Sequence, residues 1–109
     1  MKPSKKSDKE LFSLIEQKIV DKKYIFLPHV RQRMLERSIT AIDVLYLLQG
    51  HSKRIRNKKK DSYEQDREDW KYCIEDKPRD TDIRVIMTFT LDMMPIITAI
   101  NLEETSWVI

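Results

Sequence analysis

The apolar residues of this chain change their spacing once, near Gly50, and that change splits it into a helical half and a sheet half. Before Gly50 they recur every three or four positions, the repeat that gathers side chains on one face of a helix. After it they alternate, the repeat that gathers them on one face of a strand. Leu11, Phe12, Leu14, Ile15 and Ile19 predict a first helix over residues 9–20. Residues 22–26 read as a short link with extended character, and Pro28 suits the first position of a second helix, where its missing N–H costs nothing. That helix, over 29–37, carries Val30 and Met34 on one face and is otherwise strongly basic. Thr40 and Asp43 form a capping box for a third helix holding Ile42, Val44, Leu45, Leu47 and Leu48, and Gly50 is a natural left-handed terminator for it.

Beyond Gly50, residues 53–57 read as a polar edge strand with Ile55 between arginines. Trp70, Tyr72 and Ile74 alternate with Lys71, Cys73 and Glu75, and Ile83, Val85, Met87 and Phe89 with Arg84, Ile86, Thr88 and Thr90. Ile96, Thr98, Ile100 and Leu102 alternate with Ile97, Ala99 and Asn101. The links at 76–82 and 91–95 are short, which favours antiparallel hairpins. The expected fold is α+β: two to three N-terminal helices packed on one face of a three- to four-stranded antiparallel sheet. Residues 1–8 are expected to be a frayed end, and 9–109 a single domain, since 109 residues give room for one core.

Several functional classes fall away on residue counts. With one glycine, neither a phosphate-cradling GxxxxGK[ST] loop nor a GxGxxG turn can be written. The lone Cys73 permits no internal disulfide, and His29 and His51 form no metal-binding pair. We expect no metal and no cofactor. Residues 1–10 lack an apolar signal core and no apolar run is long enough to span a bilayer, so the expectation is a cytoplasmic protein with no membrane partner.

Charge is concentrated. The net charge is +3, yet residues 51–60 hold six basic side chains and no acid, so the remainder sums to −3. Lys53, Arg54, Arg56, Lys58, Lys59 and Lys60 would track a nucleic-acid backbone, with binding that weakens as salt rises. The bland alternative is a solvated loop, because Asp61, Glu64, Asp66, Glu68 and Asp69 follow and would neutralise part of it.

His29, Arg33 and Arg37 are spaced i, i+4, i+8 and form one stripe on the second helix. RNA cleavage without a metal needs a base for the 2′-hydroxyl, a cation for the charge building on phosphorus and an acid for the leaving oxygen. Histidine and arginine supply those parts. A structural role is the weightier alternative from the residues alone: His29 capping or packing, Arg37 pairing with Asp43. By alternation Lys71, Arg84 and Thr88 point away from Trp70 and Tyr72, and Lys71 with Arg84 would make a cross-strand cationic pair. Core packing is the preferred role of Trp70 and Tyr72 over base stacking. The apolar end of 103–109 would either return to the core or meet a partner.

The segment HVRQRMLERSITAIDVLYLLQG, followed by DWKYCI, RVIMTF and PIITAINL, resembles the DUF4258 family of small bacterial domains. The matching positions are His29, Arg33, Met34, Glu36, Arg37, Ile39, Asp43, Val44, Gly50, Trp70, Tyr72 and Thr98, within residues 27–102. The most specific part is H-x-x-x-R-M-x-E-R-x-I. Ser38 departs from the pattern, which often has glycine there. That family looks related to the RelE-like and MqsR-like toxins of toxin–antitoxin pairs. The resemblance therefore implies a compact RelE-like α+β fold and an endoribonuclease that cuts mRNA, with the ribosome as one setting for the cut, and is silenced by a cognate antitoxin. His29, Arg33, Arg37 and Arg84 are the expected catalytic residues. Lys53, Arg54, Arg56, Lys58, Lys59, Lys60 and Lys71 are the expected RNA contacts. The alternative is a non-catalytic module that binds nucleic acid or protein through the same basic face.

Overall fold

A computed structural model describes residues 2–49, 57–65, 67–78 and 81–103. The expectations placed on Gly50, on Lys53, Arg54 and Arg56, and on residues 104–109 lie outside the described residues.

The three helices form where the 3.6 period runs. Helix α1 (Asp8–Val20) starts with a capping box in which the Ser7 hydroxyl accepts from Glu10 N–H and the Glu10 carboxylate accepts from Ser7 N–H. Leu11, Ile15 and Ile19 are its buried stripe. Helix α2 (Pro28–Glu36) has Pro28 in its first turn and buries Val30 and Met34. Helix α3 (Ala41–Gln49) opens on the expected capping box: Thr40 N–H donates to Asp43 Oδ2 at 2.9 Å and Asp43 N–H to Thr40 Oγ1 at 3.1 Å.

Two helix ends turn without glycine. After α2, Ile39 N–H bonds Met34 C=O at 2.9 Å and Ser38 N–H reaches Leu35 C=O at 3.5 Å, a Schellman closure that puts Ser38 at φ 57°. After α1, Lys22 takes the same φ. The left-handed region is where a Cβ is least welcome, which accounts for a glycine preference at the Ser38 position.

Among the described residues the sheet has five strands in the order β1-β5-β4-β3-β2, with β1 Tyr24–Phe26, β2 Asn57–Lys58, β3 Tyr72–Asp76, β4 Ile83–Met87 and β5 Met94–Asn101. The β3–β4–β5 meander is antiparallel as expected, and β2 adds an antiparallel edge of two residues. The expected all-antiparallel sheet needs one correction. The 22–26 link contributes β1, which pairs parallel with β5 through Tyr24↔Met94, Ile25↔Pro95 and Phe26↔Ile96. Nothing local sets that direction, because its partner lies some 70 positions along the chain.

A second correction concerns the alternation in β5. Ile86 pairs with Thr98 but Met87 pairs with Ile96, so Ile97 has no partner across the ladder. One extra residue reverses the phase of every side chain after it. Ile96, Ala99 and Asn101 therefore face the helices, while Thr98 and Ile100 face away with Ile86 and Arg84. The core between helices and sheet joins Leu11, Ile15, Val30, Leu47, Tyr72, Ile74, Val85, Met87 and Ile96 in one cluster.

Residues 2–7, expected to fray, have no regular structure but are tied to the end of β3. Lys6 N–H donates to the Tyr72 hydroxyl at 3.1 Å, Lys6 Nζ pairs with the buried Asp69, and Trp70 Nε1 donates to Pro3 C=O at 2.9 Å. Lys2 Nζ lies 4.5 Å from the Trp70 ring centre. Tyr72 is fully buried, as expected. Trp70 is half-buried against the core edge. Burial, with the neighbouring Asp69 carboxylate, pushes the Tyr72 phenol up from its ordinary pKa, so it stays a neutral hydroxyl donating to Asp69 at 3.0 Å.

Candidate functional site at the free edge of β5

Strand β1 covers only the first three residues of β5. Past Ile96 the edge carbonyls of β5 have no strand opposite them among the described residues, and an exposed ladder edge invites foreign pairing. Helix α2 fills the gap. Because α2 follows β1 directly, it runs along this edge and sets His29, Arg33 and Arg37 facing it. Arg37 Nη1 donates to Ala99 C=O at 2.9 Å, and His29 Nε2 lies 3.3 Å from Ile97 C=O. Asn101 Nδ2 returns the contact to Arg37 C=O at 3.0 Å. The expected alternative of an Arg37–Asp43 pair is replaced by these contacts, and Asp43 serves the α3 capping box.

His29, Arg33 and Arg37 line one cavity of about 170 Å³ with Val30, Ile97, Thr98 and Ala99. The phase reversal at Ile97 is what brings Thr98 there. Arg37 is half-buried, whereas His29 and Arg33 are exposed at the mouth. A carbonyl oxygen can only accept, so the His29–Ile97 contact places the imidazole proton on Nε2 and leaves Nδ1 as the basic nitrogen. Among the described residues, the Arg33 guanidinium makes no hydrogen bond or ion pair within the protein. The cavity thus offers one uncommitted guanidinium, one basic imidazole nitrogen and one threonine hydroxyl.

Arg84 is not brought to this cavity. It lies on the sheet face turned away from the helices, opposite Glu75 in the β3–β4 ladder, and donates Nε to Glu75 Oε2 at 2.6 Å with Nη2 at 2.5 Å. The expected Lys71–Arg84 pair is therefore an Arg84–Glu75 pair. Lys71 itself is bound by the Glu64 carboxylate, and that hydrogen bond holds Glu64 below the usual carboxylate range. Lys59 Nζ stands 3.9 Å from Glu75 Oε1. Lys59, Lys60, Lys71, Cys73, Arg84 and Ile86 line a second cavity of about 300 Å³ on that face, and Lys58 is a residue of β2. Ile86, which lines this cavity, pairs in the ladder with Thr98, which lines the first.

The sequence pointed to the stripe but not to Thr98, which the unbroken alternation placed with Ile96 on the helix-facing side. Nor did it point to Glu64 and Glu75, whose roles depend on strand register and a loop. No group of histidine, cysteine and carboxylate side chains suited to holding a metal occurs among the described residues. No described helix is long and apolar enough to cross a membrane.

Three helices on a mostly antiparallel sheet, with a basic helix seated on the sheet's open edge, define a small α+β domain. The chain belongs to the DUF4258 family, a domain of unknown function, whose model matches residues 26–101. No curated protein and no solved structure matches it.

Proposed function

We propose that the chain is a toxin-type endoribonuclease that acts without a metal and is held silent by a partner protein, as in a toxin–antitoxin pair. The observation that carries this reading is the uncommitted Arg33 guanidinium beside the His29 imidazole and the Thr98 hydroxyl in one cavity. In this reading His29 Nδ1 takes the proton of an RNA 2′-hydroxyl. The 2′-oxygen then attacks the adjacent phosphorus and the 5′-oxygen leaves with a proton from solvent or from the imidazolium. Arg33 binds the phosphate and stabilises the charge that builds on it. Arg37, committed to Ala99 C=O, positions the helix and does not touch the phosphate. Arg84, Lys59, Lys60 and Lys71 carry the flanking RNA across the adjoining face.

Incubating the purified chain with a single-stranded RNA oligonucleotide tests this. The expected products end in a 2′,3′-cyclic phosphate and a 5′-hydroxyl, and a 2′-deoxy substitution at the cut site blocks cleavage. Intact RNA at every protein concentration, or cleavage unaffected by the deoxy substitution, overturns it. A second reading, a nucleic-acid-binding module without catalysis, draws support from the contacts that commit His29 and Arg37 to β5 carbonyls. It predicts salt-sensitive RNA binding with no products.

A further inference from the structure

The opposite side of α2 carries a different surface. Phe26, Met34, Leu35, Ile39 and Ala41 line an apolar groove of about 510 Å³, with Arg31 at its rim. Leu35 is 84% exposed, and Ile42 beside the groove 53%. Large aliphatic side chains gathered this way on a small domain mark a contact surface more often than scattered exposure does. Among the described residues the Arg31 guanidinium makes no hydrogen bond or ion pair; only its main-chain N–H is engaged, by Leu27 C=O at 3.1 Å. Lys22 and Lys23, exposed at the entry to β1, add positive charge nearby.

Strand β1 continues this surface. Its ladder to β5 uses Lys23 C=O, which accepts from Met94 N–H at 2.8 Å, and Leu27 N–H, which donates to Ile96 C=O at 3.4 Å. Main-chain groups alternate sides along a strand, so those of Tyr24 and Phe26 point off the outer edge. The outer edge of β1 and the outer side of α2 form one track that ends in the groove.

We infer that this track docks an extended segment of a protein partner carrying alternating acidic and apolar side chains. The segment adds as a sixth strand on β1, drops an apolar residue against Leu35 and Met34, and sets a carboxylate on Arg31. Strand addition takes its affinity from main-chain hydrogen bonds and its selectivity from pockets for alternate side chains. The charge decides against a second copy of this chain as occupant. A two-fold axis through the groove would bring both Arg31 guanidiniums onto one apolar, desolvated seam, where like charges repel. The inference is independent of the phosphate-handling reading, because His29 and Arg33 face the other side of α2.

The test uses the full chain and two labelled synthetic peptides, one alternating glutamate with valine and leucine, the other with lysine in place of glutamate. Fluorescence polarisation should show the acidic peptide binding and the basic one failing to bind. Leu35→Asp and Arg31→Glu should each weaken the acidic peptide by roughly tenfold or more. Leu35 and Arg31 are exposed, and both variants should keep the wild-type circular dichroism spectrum. Arg31→Glu should gain the basic peptide, which no unfolding artefact would produce, and Tyr24 and Phe26 amides should become protected from exchange on binding. His29→Ala should bind as wild type does. Equal binding of both peptides, unprotected β1 amides, or a concentration-dependent dimer abolished by Leu35→Asp would each overturn the inference.

Discussion

The two basic surfaces of this domain differ in how many cations they carry, Lys59, Lys60, Lys71 and Arg84 on one and Arg33 and Arg37 on the other, and in what holds them. On the helix-free face Arg84 and Lys59 share Glu75, and Lys71 is bound to Glu64. On α2 the partners are main-chain carbonyls, which cancel no charge, and Arg33 has none among the described residues. Lysine and arginine counts therefore overstate the first surface and understate the second. An ion in water near a neutralising carboxylate attracts a phosphate weakly, whereas an uncommitted guanidinium beside a neutral carbonyl edge keeps its full field.

The contrast is sharpest within α2 itself. Arg33→Ala should reduce RNA cleavage roughly 100-fold or more while leaving the melting temperature nearly unchanged, since the exposed guanidinium gives up no hydrogen bond or ion pair among the described residues. A kinetic assay beside a thermal melt checks both halves. Arg37→Ala should do the reverse at first order, costing about 1–3 kcal/mol of stability by stranding Ala99 C=O. Chemical denaturation would read that loss, and an unchanged midpoint would break the division of labour between the two arginines.

Ser38 tests whether the α2 seat is strained by its turn. Ser38→Gly should stabilise by up to about 1 kcal/mol, because only the wild-type Cβ resists φ 57°. A destabilised variant would mean that the hydroxyl matters more than the backbone. Glu75→Gln should release Arg84 and Lys59 and strengthen low-salt RNA binding a few-fold, on the order of 1 kcal/mol, with a steeper salt slope. Glu64 gives the smallest effect. Its folded pKa is lowered, so the Lys71 pair stabilises the protein above the ordinary glutamate range and is lost as pH falls through the lowered value. An acid titration of the melting temperature should lose part of its fall between those two values in Glu64→Gln.

Much of the architecture can be read from local sequence. Thr40 and Asp43 announce the start of α3, Pro28 the start of α2, and the period-2 segments the three long strands, because each depends on neighbours in the chain. What could not be read depends on distant partners. The parallel pairing of β1 is set by β5, and the phase reversal at Ile97 by one extra residue against β4. The site follows the same division. The i, i+4, i+8 stripe is a property of the helix alone and assembles as expected. Arg84 was assigned to the same chemistry from its charge, but register placed Glu75 opposite it. The role of Arg37 as a cap on β5 appears only once the edge it covers exists.

Induced expression in a bacterial host, wild type beside Arg33→Ala at matched soluble levels, tests the central claim most directly when growth and total RNA are followed together. The account predicts rapid arrest with loss of mRNA for the wild type, and normal growth with intact RNA for Arg33→Ala. Arrest and RNA loss of equal extent in both strains, or intact RNA in both despite abundant folded protein, would contradict it.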